Sequence, residues 1–320
     1  MKDYGLIDSR AYIAYVIVCI VWGSTYLAIK IGVSELPPAL FAGTRFVIAG
    51  SIMLAYVLLR KMAIPRTARD LSVTATVGLL LLFGGNGLVV WSEQFIPSGL
   101  TALIICTVPI FVAIIDFLAP GGSRMSWKGW AGMLLGFSGV ALLVSPESGI
   151  EGVQPLGVAG VLAASLLWAA GSVYSSRNPV SGSMLAVSAL QTLAGGVALC
   201  LTGLILGELP RFHLTASSAG ALLYLIFAGS ILGYSSFVYI IKAMPPSKAS
   251  TYSYVNPVVA VILGALILQE NITVMQIAAS AIILGGVVLV QTSRFKPDPS
   301  AEKERENISL KAAPSPAGKE

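Results

Sequence analysis

The sequence predicts an all-α membrane protein of ten transmembrane helices, folded as two inverted five-helix repeats with both termini cytoplasmic. Three observations carry this. Charge is scarce, apolar runs of membrane-spanning length follow one another almost without pause, and residues of one half recur in the other at a near-constant offset.

The residues AVILMFWYC make up 56% of the 320 positions and DEKR only 11%, against about 25% charge in soluble domains. The charge is also uneven: 11 of the 35 charged residues fall between Arg294 and Glu320. The first 293 residues hold roughly one charge per twelve, too few to build a water-soluble surface. A soluble enzyme is excluded. The net charge of +5 has no basic patch with interleaved aromatics behind it, so nucleic acid is not an expected partner. Cys19, Cys106 and Cys200 lie inside apolar runs without CxxC pairing and read as packing residues, with no metal or other cofactor implied.

A helix needs about 20 apolar residues to cross the hydrocarbon core. Ten runs of that size occur, at 12–31, 38–60, 72–95, 98–119, 126–145, 155–177, 182–207, 217–241, 245–269 and 273–293. Prolines, Gly-Gly pairs or charges mark the breaks, among them Pro37-Pro38, Pro97, Pro179 and Pro245-Pro246. The first run is too long for a signal peptide and lacks a small-residue cleavage site, so it reads as a retained span. Lys and Arg in the short loops set the orientation: eleven fall on one side before the tail is counted, and Arg211 alone falls on the other. This gives a cytoplasmic N-terminus at 1–11, a first repeat at 12–145, an outer linker at 146–154, a second repeat at 155–293 and a disordered, charged and Pro-rich cytoplasmic tail at 294–320.

The repeat is read from matched residues. Trp22 and Trp168 stand 146 apart, Pro97 and Pro245 148 apart, and Pro109 and Pro257 148 apart. Five spans per repeat is an odd number, so the halves insert with opposite topology, a hallmark of secondary transporters built around a midplane site.

Trp22-Gly-Ser-Thr-Tyr, Ile96-Pro-Ser-Gly-Leu-Thr-Ala-Leu-Ile, Val108-Pro-Ile-Phe, Ser165-Leu-Leu-Trp-Ala-Ala-Gly-Ser-Val-Tyr and Tyr254-Val-Asn-Pro-Val-Val-Ala-Val-Ile-Leu-Gly together resemble the EamA family of the drug/metabolite transporter superfamily, and most of all its YedA-like branch. The resemblance covers residues 12 to 293. It implies a bacterial inner-membrane carrier of ten spans, in most members an exporter. The family often places Glu after both span 4 and span 9. In this sequence Glu270 follows span 9, but Pro120-Gly-Gly-Ser occupies the place after span 4, which argues against a paired role for such glutamates.

Corresponding Pro-interrupted spans are the best sequence pointer to a transporter's site. Pro109 and Pro257 fall near mid-span, where each removes a helical N–H. They mark either a substrate site with Asn256 beside it or plain kinks closed by neighbouring hydroxyls. Trp22 and Trp168, also at mid-span, read as aromatic walls of a cavity or as packing residues bonded to a nearby carbonyl. Asn86 and Tyr234 match across the repeat, each among glycines that read as close-packing positions, and Tyr252 joins the substrate-binding candidates; Tyr254 and Gln191 are weaker ones. Lys30, Arg45 and Glu93 lie within spans on the outer side. A pair of Glu93 with Arg45 or Lys30 would form an outer gate or couple export to protons; the alternative is a static pair or a snorkelling head group. Asp116 is expected to pair with Arg124 or Lys128.

An intramembrane enzyme is disfavoured, because the only His, His213, is in a loop and Asp116 has no second Asp at its depth. An ATP-driven pump would need a GxxxxGK[ST] loop that is absent. The sequence therefore predicts an exporter of small amino-acid-like or amphipathic metabolites, embedded in the lipid bilayer and working by alternating access, with no cofactor. A passive facilitator or a lipid or polyprenyl-carrier flippase of the same fold is the alternative, and a homodimer is the assembly left open.

Overall fold

The computed structural model describes residues 9–119, 126–145, 153–243 and 252–292, and among them every regular element is helical. In chain order these are α1 (Ser9–Val33), α2 (Pro38–Leu59), α3 (Ala68–Gly78), the π-helix π1 (Leu79–Asn86), α4 (Gly87–Ser92), α5 (Ser98–Ile105), α6 (Val108–Leu118), α7 (Trp127–Val144), α8 (Pro155–Arg177), α9 (Met184–Ile205), α10 (Ala216–Tyr224), the π-helix π2 (Leu225–Leu232), α11 (Gly233–Ala243), α12 (Tyr252–Ile267) and α13 (Val274–Thr292). Seven segments have the length and hydropathy to cross a membrane; α3 through α4, α5 with α6, and α10 through α11 each count as one. The remaining apolar helices are α7, α12 and α13. The linker 146–152, the loops 120–125 and 244–251 and the tail 293–320 lie outside the described residues, and so do the side chains of Ser253 and Tyr254.

The surface is apolar and the interior holds small and hydroxylated side chains. Ile205 and Val274 are each 85% exposed, while Ser92, Thr101, Thr107, Ser165 and Ser218 are fully buried. Lipid solvates the outer faces, so apolar burial does not drive the helices together and close packing must. Packing follows the repeat. α2 lies against α9 and α7 against α13; α1 meets α12 and π2, while α8 meets α5, α6 and π1. Each of these contacts joins the two halves. The α7–α13 seam is nearly backbone on backbone: a Cβ added at Gly286 would come within 2.5 Å of the Gly136 nitrogen, and one at Gly132 within 2.7 Å of the Gly286 oxygen.

The helix ends are satisfied by an unusual means. α2 and α5 start after Pro37 and Pro97, which have no side chain to cap with. Each is capped by a glutamate from the other half. After α9, Gly207 turns left-handed (φ 67) and the Glu208 N–H closes on the Gly203 carbonyl at 2.9 Å. The Glu208 carboxylate then accepts from Ala39 N at 3.4 Å and Leu40 N at 2.8 Å. After α12, Gln269 turns left-handed (φ 56) and Glu270 N–H reaches the Gly264 carbonyl at 3.1 Å. Its carboxylate accepts from Ser98 N (2.8 Å), Ser98 Oγ (2.9 Å) and Gly99 N (3.2 Å). An anion at a helix N-terminus is also favoured by the helix dipole. The place after span 4 holds no glutamate, as expected; the second clasp comes instead from Glu208, at the end of α9.

These two clasps lie at one end of the bundle, the clasp end, where Gln154 N–H also meets the Phe95 carbonyl at 3.2 Å. At this end the hydroxyl of Thr215, which caps α10, donates to Glu35 and holds that carboxyl below the usual carboxylate range. The opposite end, the basic end, carries Arg60, Arg66 and Arg69 near the start of α3, and there Asp70 accepts from the Ser181 hydroxyl. Asp116 bonds Arg177 at 2.8 Å. α6 packs on α8, which ends in Arg177, so Asp116 has a partner besides those expected; Lys128 starts α7, and Arg124 lies outside the described residues.

Glu208→Ala and Glu270→Ala should each lower the stability of detergent-solubilised protein by about 0.5–2 kcal/mol, the usual cost of a lost cap, and the double variant by about the sum. Thermal unfolding midpoints measure this. Gly286→Val should cost about 1–3 kcal/mol through overpacking, whereas Val288→Ala, on the exposed face of α13, should leave the midpoint within error.

Candidate functional site

The two π-helices are the positional core of the candidate site. π1 and π2 are each eight residues long and begin 146 residues apart, at the same place in the two repeats. A π turn widens the helix by one residue and leaves carbonyls free to take other donors. Sequence periodicity does not distinguish it from an α turn. The glycines noted around Asn86 and Tyr234 are the only trace, and they behave as close-packing positions: Leu167 crowds Gly84, Trp168 crowds Gly85, and Trp22 crowds Gly233.

Each tryptophan faces the π segment of the opposite half. On α8, Trp168 lies 3.0 Å from the Cβ position of Gly85, next to Asn86, whose Oδ1 is buried without a partner. On α1, Trp22 donates its indole N–H to the Gly229 carbonyl of π2 at 3.1 Å. Trp22 is also part of an aromatic cluster with Phe237 at 5.0 Å and Tyr252 at 5.2 Å between ring centroids. With its amide turned to donate, Asn256 reaches the carbonyls of Tyr252 (3.0 Å) and Cys19 (3.2 Å). Tyr234 shares a short hydrogen bond with Ser188 of α9. Apart from Tyr234, held at α9, the substrate-binding candidates thus form two groups. Trp22, Tyr252 and Asn256 gather where α1 meets α12, and Trp168 and Asn86 where α8 meets π1.

The two prolines differ. Pro109 ends a real break: α5 stops at Ile105, Cys106 and Thr107 form a turn, and α6 restarts with Pro109 in its first turn. Thr107 covers the break by donating its hydroxyl to the Ile104 carbonyl at 2.7 Å. Pro257 sits inside the continuous helix α12.

The charged residues also separate. Lys30 Nζ donates to the Glu93 carbonyl at 2.5 Å and the Ile96 carbonyl at 2.9 Å, not to a carboxylate. Helix α4 ends at Ser92, so these carbonyls have left the helical ladder and accept the ammonium in its place. The Glu93 carboxyl is fully buried, and neither oxygen has a hydrogen-bond partner. Its electrostatic neighbours are Lys30 and Glu270. Arg45 lies elsewhere, against π2: Nε donates to Ser230 Oγ at 3.3 Å, and the guanidinium carbon is 4.8 Å from the Phe46 ring centroid. Neither expected ion pair of Glu93 occurs among the described residues. The reason is geometric, since α2 turns Arg45 toward α1 and π2 while Lys30 is held by backbone.

Two clefts of about 450 and 280 Å3 open at the clasp end, the larger bordered by Trp91, Gln94 and Glu208 and the smaller by Lys30, Phe95 and Glu270. Neither reaches the Trp22 or Trp168 groups. No group of three or more His, Cys, Asp or Glu suited to a metal occurs among the described residues. Sequence reading missed Glu208, Ser230 and Phe237. The available signal for Glu208 was the Gly207-Glu208 turn facing a helix that starts with prolines.

Comparison with known proteins agrees with this architecture. The EamA-like transporter family matches twice, at residues 9–145 and 155–292. The chain is 39% identical over 277 residues to the Escherichia coli K12 protein named "Uncharacterized inner membrane transporter YedA", covering 86% of this chain and 89% of that one. It is 26% identical to the Bacillus subtilis protein named "Uncharacterized transporter YvbV", covering 89% and 92%. It is also 26% identical to the E. coli K12 protein named "Probable amino-acid metabolite efflux pump", covering 85% and 92%. A solved structure titled "Crystal structure of protein" shares the fold with a TM-score of 0.59 at 22% identity, covering 88% of this chain and 96% of that one. A helical, apolar chain with paired repeats, matched by the family model along nearly its whole length, belongs to the EamA-like transporter family and is a multi-pass inner-membrane transporter rather than an enzyme.

Proposed function

We propose that the protein is a secondary exporter of small amino-acid-like or amphipathic metabolites, working by alternating access across ten spans with both termini cytoplasmic. The observation that carries this reading is the matched pair π1 and π2, each faced by a tryptophan of the other half. Alternating access needs two repeats that rock about a shared locus, and irregular backbone is tolerated at membrane depth where it is packed by protein or lines a cavity. The substrate path runs past Trp22, Asn86, Trp168, Tyr234, Tyr252 and Asn256, with the Pro109 break and Pro257 beside it. The basic end faces the cytoplasm by the positive-inside rule and the clasp end faces outward. Export is the direction named for a relative of 26% identity.

Proton coupling falls to Glu93. It is the one carboxyl among the described residues that is buried with both oxygens unpartnered, and Lys30 stands close to it. Opening of the clasp end would expose this carboxyl and let it exchange a proton with the outside.

An efflux profile of cells overexpressing the wild type should show small metabolites accumulating outside over the vector control. Trp22→Ala and Trp168→Ala should each cut that export at least tenfold at unchanged membrane abundance; normal export by both would remove the proposed path. In proteoliposomes, Glu93→Gln should lose the stimulation by an imposed pH gradient while retaining downhill exchange. Full gradient-driven transport by that variant would end the coupling proposal.

A further inference from the structure

Arg45 is a cation inside the membrane for which the described residues supply no anion. It is 6% exposed, seven residues into α2, and so about 10 Å along the helix from Pro38. Of its donors, Nε meets the Ser230 hydroxyl at the long distance of 3.3 Å, and Nη1 is buried with no partner. Nη2 lies against Gly229, 3.4 Å from where a Cβ would stand. Ser230 is itself committed as a donor to the Leu225 carbonyl at 3.0 Å, so it presents oxygen to Arg45 and cannot neutralise it. The buried carboxyl of Glu93 has Lys30 and Glu270 as its electrostatic neighbours, not Arg45. An unpaired guanidinium keeps its proton and is costly in hydrocarbon, and residues of this kind in membrane proteins mark pathways of charge.

The surroundings indicate what the missing anion is attached to. Arg45 Nη2 lies 3.4 Å from where a Gly229 Cβ would stand, and the Gly229 carbonyl accepts the Trp22 indole N–H, so guanidinium and aromatic cluster lie at one π turn. Lys30 is the other cation within the spans, and the carbonyls of Glu93 and Ile96 hold it. One free guanidinium suits a singly charged, planar carboxylate, which it can grip with two parallel N–H bonds; a phosphate dianion would call for more charge.

We propose that Arg45 is the anion-binding point of the transport site, and that the solutes carried bear a carboxylate that docks on its Nη1–Nη2 edge beside Gly229, with their apolar body toward Trp22. This rests on the exporter reading. It adds a requirement that reading does not contain: the substrate's carboxylate is the counter-charge of Arg45. Parting of α2 from π2 admits it, and its binding removes the cost of the unpaired charge. Ser230, as an acceptor, helps aim the guanidinium.

The test uses proteoliposomes of the full chain loaded with the proteinogenic amino acids or with their carboxamides, release being followed by mass spectrometry. Wild type should release acids at least tenfold faster than the matching amides. Arg45→Gln should slow the acids at least tenfold and lose the preference, Arg45→Lys should recover part of it, and Arg66→Gln, at an exposed position before α3, should keep it. Amides leaving as fast as acids would overturn the proposal without any variant, and so would a well-folded Arg45→Gln that keeps the preference. If no acid is released but the cellular efflux profile shows uncharged or cationic solutes, the carboxylate site is wrong and the exporter reading stands. If neither liposomes nor cells show solute movement, the exporter reading fails, and this proposal with it.

Discussion

Backbone satisfaction without water is the constraint on which the rest of this structure depends. In hydrocarbon every N–H and C=O must find a partner inside the protein. Continuous α-helices meet that demand unaided, but this chain starts two helices at prolines, breaks another at Cys106-Thr107 and widens two more into π turns. Each irregularity is closed by a specific group. Glu208 and Glu270 cap α2 and α5, Thr107 covers the Ile104 carbonyl, Lys30 takes the carbonyls that α4 releases, and Trp22 takes the Gly229 carbonyl. Several of these donors and acceptors come from the opposite half. The bonds that permit irregular backbone are therefore also bonds that hold the repeats together.

The two ends are not equivalent. Lys61 and Gly207, 146 residues apart, both adopt left-handed backbone, so the turn after α2 repeats the turn after α9. The next residue is Met62 in one and Glu208 in the other. The first repeat thus makes the turn without the carboxylate, and the cross-half cap forms at the clasp end. The repeat makes the turns alike, but one side chain decides which of them carries a cross-half cap; the basic end is joined instead by Asp70–Ser181 and Asp116–Arg177.

The in-span charges show how depth and partner come apart. In the sequence Lys30, Arg45 and Glu93 all fall on the outer side of their spans, which makes mutual pairing the simple expectation. Rotation about the helix axes sends them to different neighbours. Lys30 meets backbone, Glu93 is left with unpartnered oxygens, and Arg45 lies against a hydroxyl and a glycine. Electrostatics requires that buried charges be answered, but it does not say by which group.

The sequence alone determined the membrane class, the helical content, the breaks and the family, because these depend on composition, on run length and on residues recurring at a fixed offset. It also singled out Trp22, Trp168 and Asn86 as polar or aromatic residues matched across apolar runs, and Asn256 as a polar residue beside a matched proline, features legible in one dimension. Only the tertiary structure decided the π turns, the Glu208 and Glu270 clasps, the Asp116–Arg177 pair and the separation of Arg45 from Glu93. Those features depend on which face each helix turns toward its neighbour. A π turn changes that facing by about a hundred degrees per inserted residue, the angular step of an α-helix, and leaves no mark on hydropathy.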